Sequence, residues 1–424
     1  LMAGRAQAPR GTFDVLPADA PARAELERVA ARRFADAGFG RIETPVFEDT
    51  GLFGRAVGES TDVVSKEMYT FSDQGDRSLT LRPEGTAAVC RAYVEHGMHK
   101  LPQPVKLWYS GPFFRQEAPQ AGRFRQFTQI GSEAFGSDDP ALDAESITLL
   151  ARLLDEAGVA GYRLRISSLG SHAERSAYGD QLKDFLRANE SALSDEVRDR
   201  IEQNPLRAFD AKHGPTQAVM AEAPRLLGQI GADDRRHFDD VLALLGEAGV
   251  AFEVDDTLVR GLDYYTRTVF EFTSDRLGAQ SGVGGGGRYD GLVEMLGGPP
   301  TPGIGWAAGI ERVLAAGTLA GETYRDRLDV YVALDTGADR AAAFRLATTL
   351  RDRGVSATME LAGRSIKGQL KQADRLGAPH VVILGGGRGA YDAAIKRMQA
   401  RDQIELTGLT KETYVEKIIE EIST

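Results

Sequence analysis

At 424 residues, with 42% apolar and 27% charged side chains, the chain is too long for one hydrophobic core and too balanced for a disordered or fibrous polymer, so two or three packed domains are expected. No run of about 20 apolar residues offers a membrane span, no charged-then-apolar leader is visible, and the single Cys90 excludes an internal disulfide framework; a cytoplasmic protein with no membrane partner is expected. The net charge of −11 opposes a uniformly nucleic-acid-binding surface, but it is unevenly spread: from Arg325 onward 16 basic residues face 14 acidic ones, against 35 and 48 in the remainder.

Taken in chain order, Leu26, Val29, Ala30 and Phe34 recur at helical spacing after Pro21, and Gly38 and Gly40 end the pattern. Arg41–Val46 reads as a strand, and Pro45, which cannot donate to a ladder, puts it at a sheet edge or an interface. Met68–Ser72, Ser78–Leu81, Val105–Glu117 and Phe124–Phe135 follow as strands, with one helix from about Glu84 to His96; the short loop Ala118–Arg123 makes the last two an antiparallel hairpin. Residues 171–250 turn polar and helical, as in an insertion between residues 1–170 and 251–322, which together form the expected catalytic domain. Strands return at Phe252–Val254 and Thr266–Phe272, ahead of the glycine run Gly284–Gly287 and a strand-to-helix segment at Gly303–Leu314. From 325 to 424 strands (Leu328–Leu334, Val355–Leu361, His380–Leu384) alternate with helices (Ala341–Arg353, Ser365–Leu376, Lys411–Ile422), which predicts a small α/β domain. Within it, Arg364, Lys367, Lys371, Arg375, Arg388, Lys396, Arg397 and Arg401 outnumber Asp374 and Asp392, a pattern shared by solvated faces and RNA-binding ones.

Neither a GxxxxGK[ST] loop nor a strand–GxGxxG–helix unit occurs, so no P-loop or Rossmann nucleotide site is expected. The sharpest local chemistry lies in the hairpin. Alternation puts Phe113, Arg115 and Glu117 on one face, and Phe127, Gln129, Gly131, Glu133 and Phe135 on one face of the next strand, leaving a slot floored by Gly131 between Gln129 and Glu133. A small polar ligand fits such a slot, and an exposed sheet face with a flexible glycine would read the same. In Leu81-Arg-Pro-Glu-Gly-Thr86, Pro83 and Glu84 suit a helix N-terminus. Arg260 precedes Gly261-Leu-Asp-Tyr-Tyr265 and could pair with Asp263; Arg288-Tyr-Asp-Gly291 follows the glycine run and could be a turn. Six histidines without metal-ligand spacing and no cysteine cluster predict no protein-held metal site.

In their joint order these segments resemble the histidyl-tRNA synthetase family over nearly the whole chain. Phe39–Pro45, Phe114-Arg-Gln-Glu117 with Arg125-Gln-Phe-Thr-Gln129, and Gly303–Arg312 are similar to the three motifs of class II synthetases, while Arg260–Tyr265 and Gly286–Gly291 resemble the histidine-specific signatures. The resemblance implies an α+β catalytic domain on an antiparallel sheet, a helical insertion, a C-terminal α/β anticodon-binding domain, and a homodimer. It implies ATP as substrate, with Mg²⁺, held by Arg115, Glu117 and Arg312, and Arg260 and Arg115 as catalytic residues. It further implies histidine bound by Glu84, Thr86, Arg115, Gln129, Glu133, Arg260, Tyr264, Tyr265 and Tyr289, then transferred to histidine tRNA. Two rivals remain: a non-catalytic relative, the regulatory subunit of ATP phosphoribosyltransferase, which typically lacks the C-terminal domain and the intact arginine signature, and another class II synthetase, which would need only the three general motifs.

Overall fold

The computed structural model describes residues 6–58, 61–117, 122–259, 262–278, 281–319, 328–400 and 402–423. They fall into two compact units that divide between Thr323 and Tyr324.

The first unit is built on a sheet of eight strands, in spatial order Gly40–Arg41, Val105–Phe114, Gln126–Phe135, Gly303–Gly309, Gly282–Arg288, Thr266–Thr273, Arg163–Ser168 and Glu253–Val254. All internal pairings are antiparallel, and only the two-residue strands at the edges pair in parallel. The register lines up rows of side chains across the sheet. Trp108, Ser132, Trp306, Gly286, Phe270 and Ile166 form a row on one face, and Tyr109, Gly131, Ala307, Gly285, Glu271 and Arg165 form the neighbouring row on the other. The first face is sealed by helices Ala20–Asp36, Pro140–Glu156, Ala232–Glu247 and Ile310–Ala316, whose Phe34, Leu150, Phe238 and Ile310 share a buried core with Trp108, Trp306 and Phe270. Phe34 stacks on both tryptophans, with ring centroids 5.2 and 5.6 Å away. On the second face the middle of the sheet carries only small residues, among them Gly131, Ala307 and Gly285, and the cleft opens beside them.

The sequence expectations need several corrections. Arg41–Val46 is not a six-residue strand: pairing stops at Arg41, apart from one further bond from Ile42 N to Trp108 O, and Phe47–Asp49 joins a separate three-stranded sheet with Ser78–Leu81 and Tyr69–Ser72. Proline at 45 explains the break, since it can neither donate nor leave Thr44 unrestricted. Helix 86–95 begins at Thr86 rather than Glu84, so Pro83 precedes it. Helix Pro140–Glu156 and strand Arg163–Ser168 lie in a stretch for which no element was expected. Helix Ala232–Glu247, counted with the polar helical segment by its pattern, packs on Pro140–Glu156 and on the sheet.

The second unit holds a five-stranded sheet in the order Ala357–Met359, Val330–Leu334, His380–Leu384, Ala393–Arg397, Asp402–Leu406. Its first three strands are parallel and the last two antiparallel. Val381–Leu384 is buried throughout, as a continuous apolar run in a central strand should be. The last two strands were not expected, because Asp402–Leu406 is a polar edge strand and Ala393–Arg397 carries little β-branched character. The basic stretch is not one open patch. Arg364 meets Glu360, Arg388 meets Glu405 at 2.8 Å, and Arg397 meets Asp402 and Glu421, whereas Lys367, Lys371 and Arg375 stand exposed along helix Ile366–Arg375. Arg401 lies outside the described residues.

Candidate active site

A cleft of about 290 Å³ opens on this second face of the sheet. One end is cationic. Arg115, from the end of the first hairpin strand, lies 5.5 Å over the Phe127 ring and donates through Nε to Pro83 O at 2.9 Å. Arg312 enters from helix Ile310–Ala316, its Nε held by Gly282 O at 2.6 Å. Burial, reinforced by nearby Arg123, holds the Arg312 guanidinium below its ordinary value, while Glu117 and Glu271 act in the opposite direction. Arg123 donates to Glu117 at 2.8 Å. Three guanidinium groups and the carboxylates of Glu117, Glu271 and Glu311 therefore line one end of the cleft. Sequence reasoning named Arg115, Glu117 and Arg312 but missed Arg123 and Glu271; the basic cluster 115, 123, 125 around the hairpin loop was the available signal for the first.

The N-terminus of helix Ile310–Ala316 is fixed from behind. Glu311 accepts from Thr128 N at 3.1 Å with both oxygens and from Arg23 Nη1 at 3.0 Å, so Arg312, the next residue, is aimed across the hairpin.

The other end is built around a buried carboxylate. Glu133, 1% exposed, accepts from Thr86 Oγ1 at 2.8 Å, from the Tyr289 hydroxyl at 2.6 Å and from the Tyr109 hydroxyl at 3.3 Å. Burial pushes its pKa up to about 8, against the pull of the Tyr289 and Thr86 hydrogen bonds and with added repulsion from Glu84. Burial and Glu133 likewise raise the phenols of Tyr109 and Tyr289 well above their usual range; Tyr264 is raised by burial and by its neighbours Tyr265 and Glu84. These phenols are thus donors, not phenolates.

Two glycines make this packing possible. A Cβ on Gly305 would lie 1.7 Å from Glu133 Oε2, and one on Gly131 would lie 2.5 Å from the Tyr109 hydroxyl. The expected open slot over Gly131 is therefore occupied: Tyr109, which the sequence did not single out, lies across it. Glu133 and Tyr289 sit one layer behind the lining of the cleft, whereas Glu84, Thr86, Gln129, Tyr264 and Tyr265 belong to the lining itself. Glu84 also caps the helix behind it, accepting from Thr86 N at 2.7 Å and Ala87 N at 2.9 Å. Gln129 Oε1 is buried without a hydrogen-bond partner, an acceptor left for a ligand. Tyr264 packs edge-on against Tyr289 at 5.8 Å. Arg260 lies outside the described residues.

One continuous cleft thus offers an arginine-rich end suited to polyphosphate and an end suited to a small polar molecule. The family model described as histidyl-tRNA synthetase matches residues 11–313, and that of an anticodon binding domain matches residues 329–421. The chain is similar to the histidine–tRNA ligase of Corynebacterium diphtheriae (50% identity over 384 residues, 89% of this chain and 90% of that one) and of Desulforamulus reducens (46% over 405 residues, 94% and 96%). Among solved structures it resembles the apo histidyl-tRNA synthetase of S. aureus, with a TM-score of 0.79, 35% identity, and coverage of 97% of this chain and 99% of that one. A Bacillus halodurans structure titled as an ATP phosphoribosyltransferase regulatory subunit/histidyl-tRNA synthetase shares the fold at 21% identity and a TM-score of 0.65. With a family model spanning the cleft-bearing unit and relatives near half identical over nine-tenths of the length, the chain belongs to the histidyl-tRNA synthetase family.

Proposed function

We propose that this cleft joins L-histidine to ATP and then passes the histidyl group to the 3′ end of its tRNA. The observation that carries the reading is the coexistence, in one cleft, of the Arg115–Arg123–Arg312 cluster with the unpartnered Gln129 acceptor and the Glu133–phenol cluster just behind it.

In the first step a carboxylate oxygen of histidine attacks the α-phosphorus, and the bond to the bridging oxygen of pyrophosphate breaks. Two anions must be brought together, so fixed cations do most of the work. Planar guanidinium groups, here Arg115 toward the α-phosphate and Arg312 toward the terminal phosphate, stabilise charge without changing protonation. We assign Arg260 the same task at the reacting phosphate. Glu117 and Glu271 provide hard oxygen donors beside these arginines, a set that fits a Mg²⁺ carried mainly by the phosphates; when bound, Mg²⁺ would neutralise phosphate charge. Among the described residues no group of three or more His, Cys, Asp or Glu side chains could hold a metal unaided.

For histidine, we assign Glu84, Thr86 and Gln129 to the α-amino and carboxylate groups, with Arg115 at the carboxylate. Tyr264 and Tyr265 flank the ring, and Glu133 and Tyr289 determine its polarity. A pocket that must satisfy buried polar groups rejects apolar side chains of similar size, because they would leave those groups unpaired. In the second step a 3′-terminal ribose hydroxyl attacks the adenylate carbonyl, loses its proton as the ester forms, and AMP leaves. The C-terminal unit would read the anticodon, whose unstacked bases suit a small sheet domain. Its presence speaks against a purely histidine-sensing role.

We further propose a homodimer seam at the three-stranded sheet, where Val46, Phe47 and Phe71 are exposed and the two phenylalanine rings meet edge-on at 6.2 Å. No helix of the described residues is long and apolar enough to cross a membrane, and the tRNA partner argues for a cytoplasmic enzyme. Pyrophosphate–ATP exchange with each of the twenty amino acids tests the activity: exchange with histidine alone is expected, exchange with none or with another amino acid defeats the reading. Sedimentation of the intact chain at the monomer mass would remove the dimer.

A further inference from the structure

The polar helical segment after residue 170 forms a second cavity of about 400 Å³, lined among others by Val197, Asn204, Ala208 and His213, yet its most informative contacts point the other way, into the wall of the cleft. Arg175, one turn into helix His172–Ala188, donates through the same Nη1 to Asp263 O at 2.6 Å and to Tyr265 O at 2.9 Å. Those carbonyls bracket the pair Tyr264–Tyr265, so one guanidinium fixes the peptide plane before the pair and the one after it. Asn204 Nδ2 donates to Asp263 Oδ1 at 3.2 Å, and the Asp263 backbone N–H donates to Val57 O at 3.3 Å.

The same segment is pinned further along. Arg267 is held at φ 44°, an uncommon value for a side-chain-bearing residue, by bonds from its N–H to Gly170 O at 2.8 Å and from Leu169 N to its carbonyl at 2.7 Å; its guanidinium reaches Asp234 at 2.8 Å. Glu174 ties the two stems of the helical segment together, accepting from Ser171 N at 2.8 Å and from Gly231 N at 2.5 Å. The apolar interior of the segment, including Tyr178, Leu182, Leu186 and Val197, is one cluster with Tyr109, Tyr264, Tyr265 and Tyr289.

We infer that the helical segment braces the amino-acid end of the cleft, with Arg175 as the positioning residue that sets Tyr264 and Tyr265 and Asn204 as its support, so that the segment is needed for amino-acid activation before any tRNA is bound. This rests on the histidine-activating reading above. Neither side chain lines the cleft, and each acts through the backbone or side chain of Asp263.

The test is histidine-dependent pyrophosphate–ATP exchange without tRNA, on the full chain. Wild-type exchange with histidine is the control, and its absence would defeat the activity itself rather than the brace. Arg175→Ala is expected to raise the histidine KM about tenfold or more, the size of a lost charged hydrogen bond, while the ATP KM moves less than about twofold. Arg175→Lys should recover part of the loss, since an ammonium keeps the charge but not the fork. Asn204→Ala should shift the histidine KM in the same direction by a smaller factor. A merely structural role would reduce the number of active sites by titration and leave the histidine KM of the rest at the wild-type value; that result overturns the inference. If Arg175→Ala does not fold, Asn204→Ala decides, and an unchanged histidine KM there overturns it equally.

Discussion

The buried carboxylate of Glu133 carries a proton balance that can be measured directly. Its pKa is about 8 in the folded chain and 4.5 ordinarily. Below pH 4.5 both states are protonated and the group contributes nothing to pH dependence. Between about 4.5 and 8 the unfolded chain releases a proton that the folded chain keeps, so stability falls as pH rises, by up to roughly 1.4 kcal/mol per pH unit, and levels off above about 8. Relative to Glu133→Gln, the wild type should therefore lose on the order of a few kcal/mol between pH 5 and 8. Denaturant midpoints for both proteins across that range check it, and a difference independent of pH would refute the raised pKa. Gly305 makes a sharper steric case. An added methyl group 1.7 Å from Glu133 Oε2 and 2.6 Å from Ser132 O cannot be absorbed by a flexible neighbour alone. Gly305→Ala should destabilise by about 1–3 kcal/mol and raise the histidine KM as it displaces the carboxylate; a melting curve and KM at wild-type values would show that the packing is looser than described. Alternation in the hairpin was enough to put Gln129, Gly131 and Glu133 on one face. That Tyr109 fills the space over Gly131 was not legible, because cross-strand register decides it and residue spacing does not reveal register.

At the scale of elements, the signature strand Gly282–Arg288 has two duties that its sequence does not separate. Tyr289 turns toward Glu133, but Arg288, fully buried, turns the other way into the helical layer. There it meets Asp143 of helix Pro140–Glu156 at 2.6 Å and at 3.0 Å through Nε, while His237 of helix Ala232–Glu247 shares the same carboxylate at 2.9 Å. As sequence, Arg288 reads as part of a turn or a ligand-binding signature; its partner Asp143 lies 145 residues away on helix Pro140–Glu156, a pairing that local spacing does not reveal. Arg288 thus locks two helices onto the strand that ends at Tyr289. Removing it strands Asp143 in the core, so Arg288→Met should cost about 3–5 kcal/mol, and the double variant Arg288→Met with Asp143→Asn should cost less than the two single changes combined. Urea titration of the four proteins measures this coupling, and additive single losses would mean the groups act independently.

At the scale of the molecule, charge divides between the two units as the sequence suggested, but the meaning of the basic stretch changed once partners were visible. Arg364, Arg388 and Arg397 are engaged by carboxylates of their own unit, which linear counting could not show because Glu360, Asp402, Glu405 and Glu421 lie outside the stretch or at its margins. Lys367 and Lys371, exposed and one helical turn apart on helix Ile366–Arg375, are better placed to meet a phosphate backbone. Reversing both, Lys367→Glu with Lys371→Glu, should raise the KM for tRNA about tenfold or more at moderate salt and flatten its salt dependence by about one unit of logarithmic slope per lost contact. Histidine-dependent pyrophosphate exchange without tRNA should stay at the wild-type rate, because neither lysine belongs to the unit that holds the cleft. The same two assays separate this effect from that of Arg175, whose loss should already appear before tRNA is added. A doubly reversed protein that charges tRNA with unchanged KM would mean that the anticodon is read from another face of the C-terminal sheet.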